Sequence, residues 1–353
     1  MRWFRSVVLV GVALGCVTVA AQAETCADVV RQALATVQSA CAETGRNEAC
    51  YGNISIEAVP RADATDFTFE QQGDLVNVAD VDTLTLDPLD ADADEWGVAL
   101  MQLQANLPDA LPGQNVTFLL FGDVEIQNAV DTDADDMTPM QAFYFRTGFS
   151  GLSCEEAPPD GILIQTPEGA GTISLTMNDV DVQLGSTAFI QAEADADMVI
   201  SVVEGQAQVT ADGETVVVPE GAMVAVPLDE DLSAAGPPGE VEPYDDSALV
   251  TLPVTVLPRA IEVAAAADQD AIDEAQAMLG DMGDLGALGG MFDPGMFAGI
   301  DPAVFCAIFD QALAEAGMSR AEYLEAISEV SGMIPEADRA GFDEFIALLE
   351  SCE

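Results

Sequence analysis

The sequence contains no histidine and no lysine, and its nine basic residues are all arginine. Histidine is the commonest general acid–base and metal ligand, and lysine is the usual Schiff-base amine. Without them a Ser–His–Asp triad and a histidine metal centre are both excluded. Other catalytic signatures are missing too: there is no G-x-S-x-G, no phosphate-binding loop, and no Asp-Thr-Gly or Asp-Ser-Gly. Trp3 and Trp96 are the only tryptophans, a poor supply of the aromatic platforms that sugar hydrolases use. Positive charge is equally scarce. Against 63 Asp and Glu the formal net charge is −54, which repels nucleic-acid phosphates and anionic headgroups. The expected partner is therefore a protein or a cationic surface, with no nucleic acid. Half of the residues are hydrophobic, so the acids decorate a chain with material for a core. At 353 residues two or three domains are expected.

What is present begins with an export signal. Arg2 and Arg5 precede an apolar run from Val7 to Leu14 that continues to Ala21, and Ala21-Gln22-Ala23 is an A-x-A site. Cleavage is expected between Ala23 and Glu24, leaving seven arginines against the same 63 acids and a net charge of −56. Cys16 offers a lipoprotein alternative, although Ala13-Leu14 ahead of Gly15 is a poor lipobox. No later segment reaches membrane-spanning length without charges, so the mature chain is expected to be extracytoplasmic and secreted, without a span. Six cysteines remain after cleavage: Cys26, Cys41, Cys50, Cys154, Cys306 and Cys352. An even count in an exported protein suggests disulfides. Cys26 and Cys41 sit at opposite ends of one expected helix, about 22 Å apart and too far to bond. The expected pairs are Cys41–Cys50 across a turn, Cys306–Cys352 between C-terminal helices, and Cys26–Cys154 by elimination. No C-x-x-C spacing favours a metal instead.

Hydrophobic spacing divides the chain. Val29, Val30, Ala33, Leu34, Val37 and Ala40 predict a helix over 25–43. Alternating apolar runs separated by Gly, Pro, Asn and Asp then extend from Ile54 to about residue 228, as in a sandwich or barrel. Residues 229–300 are acidic and rich in Pro and Gly, and read as a linker in which Leu249 to Val256 either adds a strand or packs along the β region. Asp301-Pro302, the Ser319 to Glu322 capping box and Pro335 open three short helices. The boundaries are thus a signal at 1–23, a cysteine-containing helical segment at 24–53, β-rich regions at 54–160 and 161–228, the linker at 229–300 and a helical subdomain at 301–353. The fold class is α+β, mainly β, with an antiparallel sandwich or barrel-like body. No internal repeat is found.

Within this body, Gly171-Thr172-Ile173-Ser174-Leu175 and Val180 to Ile190 lead into Met198-Val199-Ile200-Ser201-Val202-Val203-Glu204-Gly205-Gln206-Ala207-Gln208-Val209 and Val216 to Val226. Residues 168–228 resemble the FecR-type β-domain, with its LGT-x-F strand, V-x-VLEG-x-V-x-V hairpin and final AGQ-like turn. Leu184-Gly185-Ser186-Thr187-Ala188-Phe189 departs from it by one inserted residue, and Glu220-Gly221-Ala222 lacks the glutamine. The resemblance implies a β-domain used for protein interaction. FecR proteins relay signals to a sigma factor from a membrane-anchored position, and that role needs an anchor which a cleaved signal does not provide. Read on its own residues, Glu204-Gly205 is a turn, and Met198 to Val203 is apolar enough to be buried on both faces.

Two acidic runs carry carboxylates on alternate residues, Asp90, Asp92 and Asp94, and Asp131, Asp133 and Asp135. Hard oxygen donors at this spacing suit weak Ca²⁺ binding. Neither run has the Gly and Glu of an EF-hand loop, and a solvated acidic loop is the plainer reading. No other cofactor is expected. Asn53-Ile54-Ser55 and Asn115-Val116-Thr117 match glycosylation sequons. The leading expectation is an exported, non-enzymatic binding or scaffolding protein of the bacterial envelope or exterior. A carboxylate-only hydrolase and a membrane-anchored envelope regulator are the alternatives.

Overall fold

The computed structural model describes residues 26–104, 115–130, 137–148, 156–167 and 172–277. The signal segment, the 131–136 run, Cys154, and the three C-terminal helices with Cys306 and Cys352 lie outside the described residues.

The apolar stripe read from the sequence forms α1 (Cys26–Ala40), which buries Val29, Val30, Ala33 and Val37. The chain continues through Cys41, whose N–H donates to Val37 O at 2.9 Å. Cys41 and Cys50 form the expected disulfide, with Cα atoms 5.7 Å apart. It ties the end of α1 to β1 (Glu48–Asn53). Cys26 is also disulfide-bonded, to a partner outside the described residues.

Sixteen further strands follow: β2 (Ile56–Pro60), β3 (Leu75–Asn77), β4 (Val81–Leu86), β5 (Val98–Leu103), β6 (Val116–Phe121), β7 (Val124–Asn128), β8 (Ala142–Thr147), β9 (Gly161–Gln165), β10 (Ile173–Met177), β11 (Val180–Leu184), β12 (Thr187–Ala192), β13 (Asp197–Glu204), β14 (Gln206–Ala211), β15 (Glu214–Pro219), β16 (Ala222–Pro227) and β17 (Glu242–Pro243). They build two sheets. The nine-stranded sheet has the order β17-β16-β13-β12-β9-β6-β5-β1-β3, and the eight-stranded sheet the order β15-β14-β11-β10-β8-β7-β4-β2. Pairing is antiparallel except between β8 and β10, which run parallel over two residue pairs. Among the described residues both sheets are open at each end, so the body is a sandwich and the barrel-like option is corrected. Among the described residues the end strands, β17 and β3 in one sheet and β15 and β2 in the other, each hydrogen-bond to one neighbouring strand only, so neither sheet closes on itself.

Turn chemistry sets this path. Asn178 and Asp179, at φ 52° and 61°, make the two-residue hairpin between β10 and β11. Gly205, at φ +76°, turns the chain from β13 in one sheet to β14 in the other, and a Cβ there would lie 2.3 Å from Ser186 Cβ. Both the backbone angle and the close approach require glycine.

One core lies between the sheets, where Phe118 of β6 meets Phe143 of β8 edge to face at 5.7 Å. A second lies on the outer face of the nine-stranded sheet. There Trp96, Phe121, Leu163, Phe189 and Val203 are covered by α1 and by Tyr244, Leu249, Leu252 and Leu257. The central strands of this sheet are therefore apolar on both faces, β6 along its whole length. Expected burial of Met198 to Val203 is met except at Val199, which is half-buried. The boundary drawn at 160/161 falls just before β9, which pairs with β6 on one side and β12 on the other. Both sheets run through it. The stretch read as a linker lies, as far as residue 277, against the sandwich. Val254–Val256 forms a 3₁₀ turn rather than a strand, the packed alternative of the two left open.

Candidate interaction face

Alternation gives the eight-stranded sheet two unlike faces. Leu84, Leu86, Ile126, Phe143 and Phe145 point into the core. The residues between them point out and align across strands. Glu57, Thr85, Glu125 and Arg146 form one row over β2, β4, β7 and β8. Val59, Thr83, Gln127 and Tyr144 form the next. Farther along, Ser174, Gln183 and Gln208 are in register, as are Thr176, Asp181, Thr210 and Thr215. Arg146 donates to Glu125 at 3.0 Å, its direct cross-strand neighbour. Tyr144 Oη donates to Asp179 at 2.8 Å, and that carboxylate holds the phenol above its ordinary pKa. The result is a broad hydrophilic platform on a rigid scaffold.

At one end of the sandwich, polar groups clasp the crossing segment. Ser186, Thr187 and Glu204 come from the ends of β12 and β13, and Gln165 from β9. Both terminal nitrogens of Arg259 donate to the two oxygens of Glu204, one of them at 2.6 Å. Ser186 Oγ and Thr187 Oγ1 donate to the same carboxylate at 2.7 and 3.1 Å. Gln165 holds the backbone: its Nε2 donates to Arg259 O at 2.9 Å, and Arg259 N donates to its Oε1 at 3.0 Å. Four donors from three residues converge on this one carboxylate, three of them on Oε2, so this cluster fastens chain to chain.

The Arg259 guanidinium, aided by the two hydroxyls, holds Glu204 below the usual glutamate range. A depressed folded-state pKa contributes stability above the unfolded value, lost as pH falls through the folded one. On the alkaline side, burial and the nearby Asp246 and Glu220 push Tyr244 up to about 12. Its hydroxyl donates to Ala264 O at 2.7 Å, holding the same segment. Stability from Tyr244 is full below the unfolded tyrosine value and is lost as pH rises toward about 12. Melting temperature measured against pH should therefore fall on both limbs. Glu204→Gln should flatten the acid limb, and Tyr244→Phe the alkaline one. Unchanged limbs in both variants would place the titrating groups elsewhere.

The sequence candidates fare differently. Asp90 Oδ1 accepts the backbone N–H groups of Asp92 and Ala93, at 2.9 and 3.1 Å, and so caps its own turn. Among the described residues no three Asp, Glu or Cys side chains are grouped to hold a metal ion, so Asp90, Asp92 and Asp94 are not brought together as ligands. Asp131, Asp133 and Asp135 lie outside the described residues. Both sequon asparagines are buried and engaged: Asn53 donates to Trp96 O at 2.9 Å, and Asn115 to Gln102 at 2.8 Å. A glycan would need them exposed. Each arginine of the described residues is tied to an acceptor, Arg31 to Asp28, Arg46 to Asn115, Arg61 to Val130 O, Arg146 to Glu125 and Arg259 to Glu204. The clasp escaped sequence reading because Gln165 and Arg259 are 94 residues apart, with no local pattern to join them.

No family model matches the chain, and no curated protein matches it. It is similar to two crystal structures from Parabacteroides distasonis, each described as a "putative anti-sigma factor". The first shares 11% identity over 43% of this chain and 57% of that one, with a TM-score of 0.26. The second shares 10% over 48% and 61%, with a TM-score of 0.28. The chain thus spans less than two thirds of either, and a likeness at this level carries no argument about function. The FecR-like stretch itself forms β10 to β16, with β10, β11, β14 and β15 in one sheet and β12, β13 and β16 in the other.

Among the described residues no helix is long and apolar enough to cross a membrane.

Proposed function

We propose that this chain is an exported, non-enzymatic binding or scaffolding protein that works outside the cytoplasm and holds a partner against the hydrophilic face of the eight-stranded sheet. The observation that carries this reading is the contrast between the two outer faces. The nine-stranded sheet is covered by α1 and residues 244–263, whereas the rows led by Glu57 and Val59 face solvent on the other sheet, with Glu57, Val59 and Gln127 exposed and the rest half-buried. The oxidised Cys26, Cys41 and Cys50 suit an oxidising compartment. The FecR-type resemblance adds a β-domain used for protein contacts. The exported chain's net charge of −56 selects a partner with basic groups, through an attraction that salt screens.

Two measurements test it. The exported protein should begin at Glu24; a lipidated start at Cys16 would move it to the envelope surface as an anchored protein. Affinity capture from envelope extract should retain a partner at low salt and lose it at high salt. It should also fail with Thr85→Arg and Gln127→Arg, which add positive charge to the face. Capture indifferent to salt and to both substitutions would overturn the reading. So would turnover of a glycan or ester that one carboxylate substitution abolishes.

A further inference from the structure

An open sheet carries unpaired N–H and C=O groups along its edge strands, and these template pairing with another chain. The sandwich has four such edges among the described residues. β17 and β3, at two and three residues, each pair with one neighbour but are too short to template a further strand. The other two, β2 and β15, have five and six residues.

β2 is blunted from within the sandwich. Asp87 N donates to Ser55 O at 3.0 Å, so by strand alternation Ile56, Ala58 and Pro60 direct their backbone groups outward. Ile56 N donates to Tyr51 Oη at 3.3 Å, and proline has no N–H to offer.

β15 is blunted from a distance. Its outward positions are Thr215, Val217 and Pro219. Pro219 again removes a donor, and Val217 at the centre is met by Gln276. Gln276 Nε2 donates to Val217 O, and Val217 N lies 3.5 Å from Gln276 Oε1. A carboxamide carries one donor face and one acceptor face, like a peptide group, and here it occupies the place of a neighbouring strand. Gln276 belongs to the helical residues 269–277, which bury Ile272 and Ala275. They reach β15 by a strap that starts at the Arg259 clasp. On the way, Ala264 N donates to Val203 O at 3.1 Å and Ala267 N to Gly221 O at 2.8 Å. Gly221 is needed here: a Cβ on it would lie 2.4 Å from Ala265 O.

What the strap covers is an uncharged run of β-branched residues, Thr215-Val216-Val217-Val218, the composition that pairs most readily. We propose that residues 257–277 form an edge guard, fastened by Arg259 and completed by Gln276, that keeps β15 from pairing antiparallel with β15 of a second copy. A second copy fits because such an edge is self-complementary: a two-fold axis at Val217 sets the outward groups of each strand against those of the other. Mutual repulsion of two exported chains at −56 each supports the guard at low salt, and screening removes that support.

The test uses the whole exported chain, with sedimentation velocity at low salt and at about 1 M NaCl, where screening acts over about 3 Å. Gln276→Ala and Arg259→Ala should each raise the self-association constant at least tenfold at high salt. Gln276→Ala should also speed hydrogen exchange at Val217 N–H at least tenfold at low salt, with Ile200 in the core unchanged. Adding Thr215→Lys, an edge charge, to Gln276→Ala should restore the wild-type sedimentation profile. Wild-type sedimentation of Gln276→Ala at both salts overturns the proposal, whatever its exchange rates. Association that persists with Thr215→Lys overturns it as well, because pairing would then use another surface. Circular dichroism checks that Gln276→Ala is folded, and that variant decides the matter if Arg259→Ala is not.

Discussion

Trp96→Ala lowers folding stability by about 3–5 kcal/mol, the range for deleting a large aromatic from a packed interior. Trp96 is 1% exposed although it lies on the outer face of the nine-stranded sheet. Its ring meets Phe121 edge to face at 6.1 Å, and Phe121 stacks on Phe189 at 6.0 Å. This aromatic line runs under the layer made by α1 and residues 244–263, so the loss would be felt by both. Urea unfolding followed by far-ultraviolet circular dichroism measures it. The midpoint should fall while the slope stays the same. A change below about 1 kcal/mol, the size of a typical surface effect, would mean that the outer layer is loosely laid on the sheet and contributes no core.

Asn178→Ala is the second large effect, at about 3 kcal/mol or more. Asn178 is fully buried, and its side chain does the work of a strand. Nδ2 donates to Phe145 O at 2.9 Å, and Phe145 N donates to Oδ1 at 2.7 Å. The parallel pairing of β8 with β10 covers only two residue pairs, and Asn178 extends it by one more step. Alanine strands a buried N–H and a buried C=O, at about 1–3 kcal/mol each. It also lacks the short polar side chain that lets asparagine tolerate φ 52°, in a region where left-handed backbone costs an ordinary side chain about 1–2 kcal/mol. Asn178→Gly separates the two causes, since it removes the hydrogen bonds and relieves the backbone. Thermal unfolding of both variants should show glycine recovering about 1 kcal/mol and no more. Full recovery with glycine would assign the whole effect to the backbone angle.

Asn178, Gln165 and Gln276 share one solution. Each uses a carboxamide to satisfy the N–H and C=O of a backbone segment elsewhere in the chain. A chain without lysine or histidine has few long-reaching donors apart from its arginines. A carboxamide supplies donor and acceptor together without a charge, so its grip does not titrate. The Arg259–Glu204 pair and the Tyr244 hydroxyl, by contrast, carry titratable groups whose pKa values the fold shifts.

The repetitive parts of the fold are legible in the residues themselves. Apolar alternation marks most of the strands, the stripe at Val29 to Val37 marks α1, and the Cys41–Cys50 spacing marks the disulfide. Two strands show where local pattern fails. β1, Glu-Ala-Cys-Tyr-Gly-Asn, is poor in β-formers, yet it is buried from Ala49 to Asn53 between β3 and β5. Its neighbours, not its own propensity, make it a strand. β7 alternates as Val124-Glu125-Ile126-Gln127, but it is only five residues long and follows β6 after a two-residue corner, so it merges with its neighbour in a linear reading. Residues 244–263 have no period at all. Their apolar side chains are placed one by one over an existing apolar face, and that face exists only once the sheet has formed.

From the amino-acid sequence alone come the charge, the absence of histidine and lysine chemistry, the mainly β class and the candidate export signal, because each depends on composition or on spacing within a few residues. The tertiary structure alone decided that β2 to β16 share two continuous sheets, and that one sheet is covered on both faces while the other keeps a polar face. It also decided which carboxamides and arginines are spent on backbone and ion-pair contacts. These features join residues such as Gln165 and Arg259, 94 positions apart. Long-range pairing is set by which surfaces remain to be buried when the chain has folded, and no local spacing encodes it.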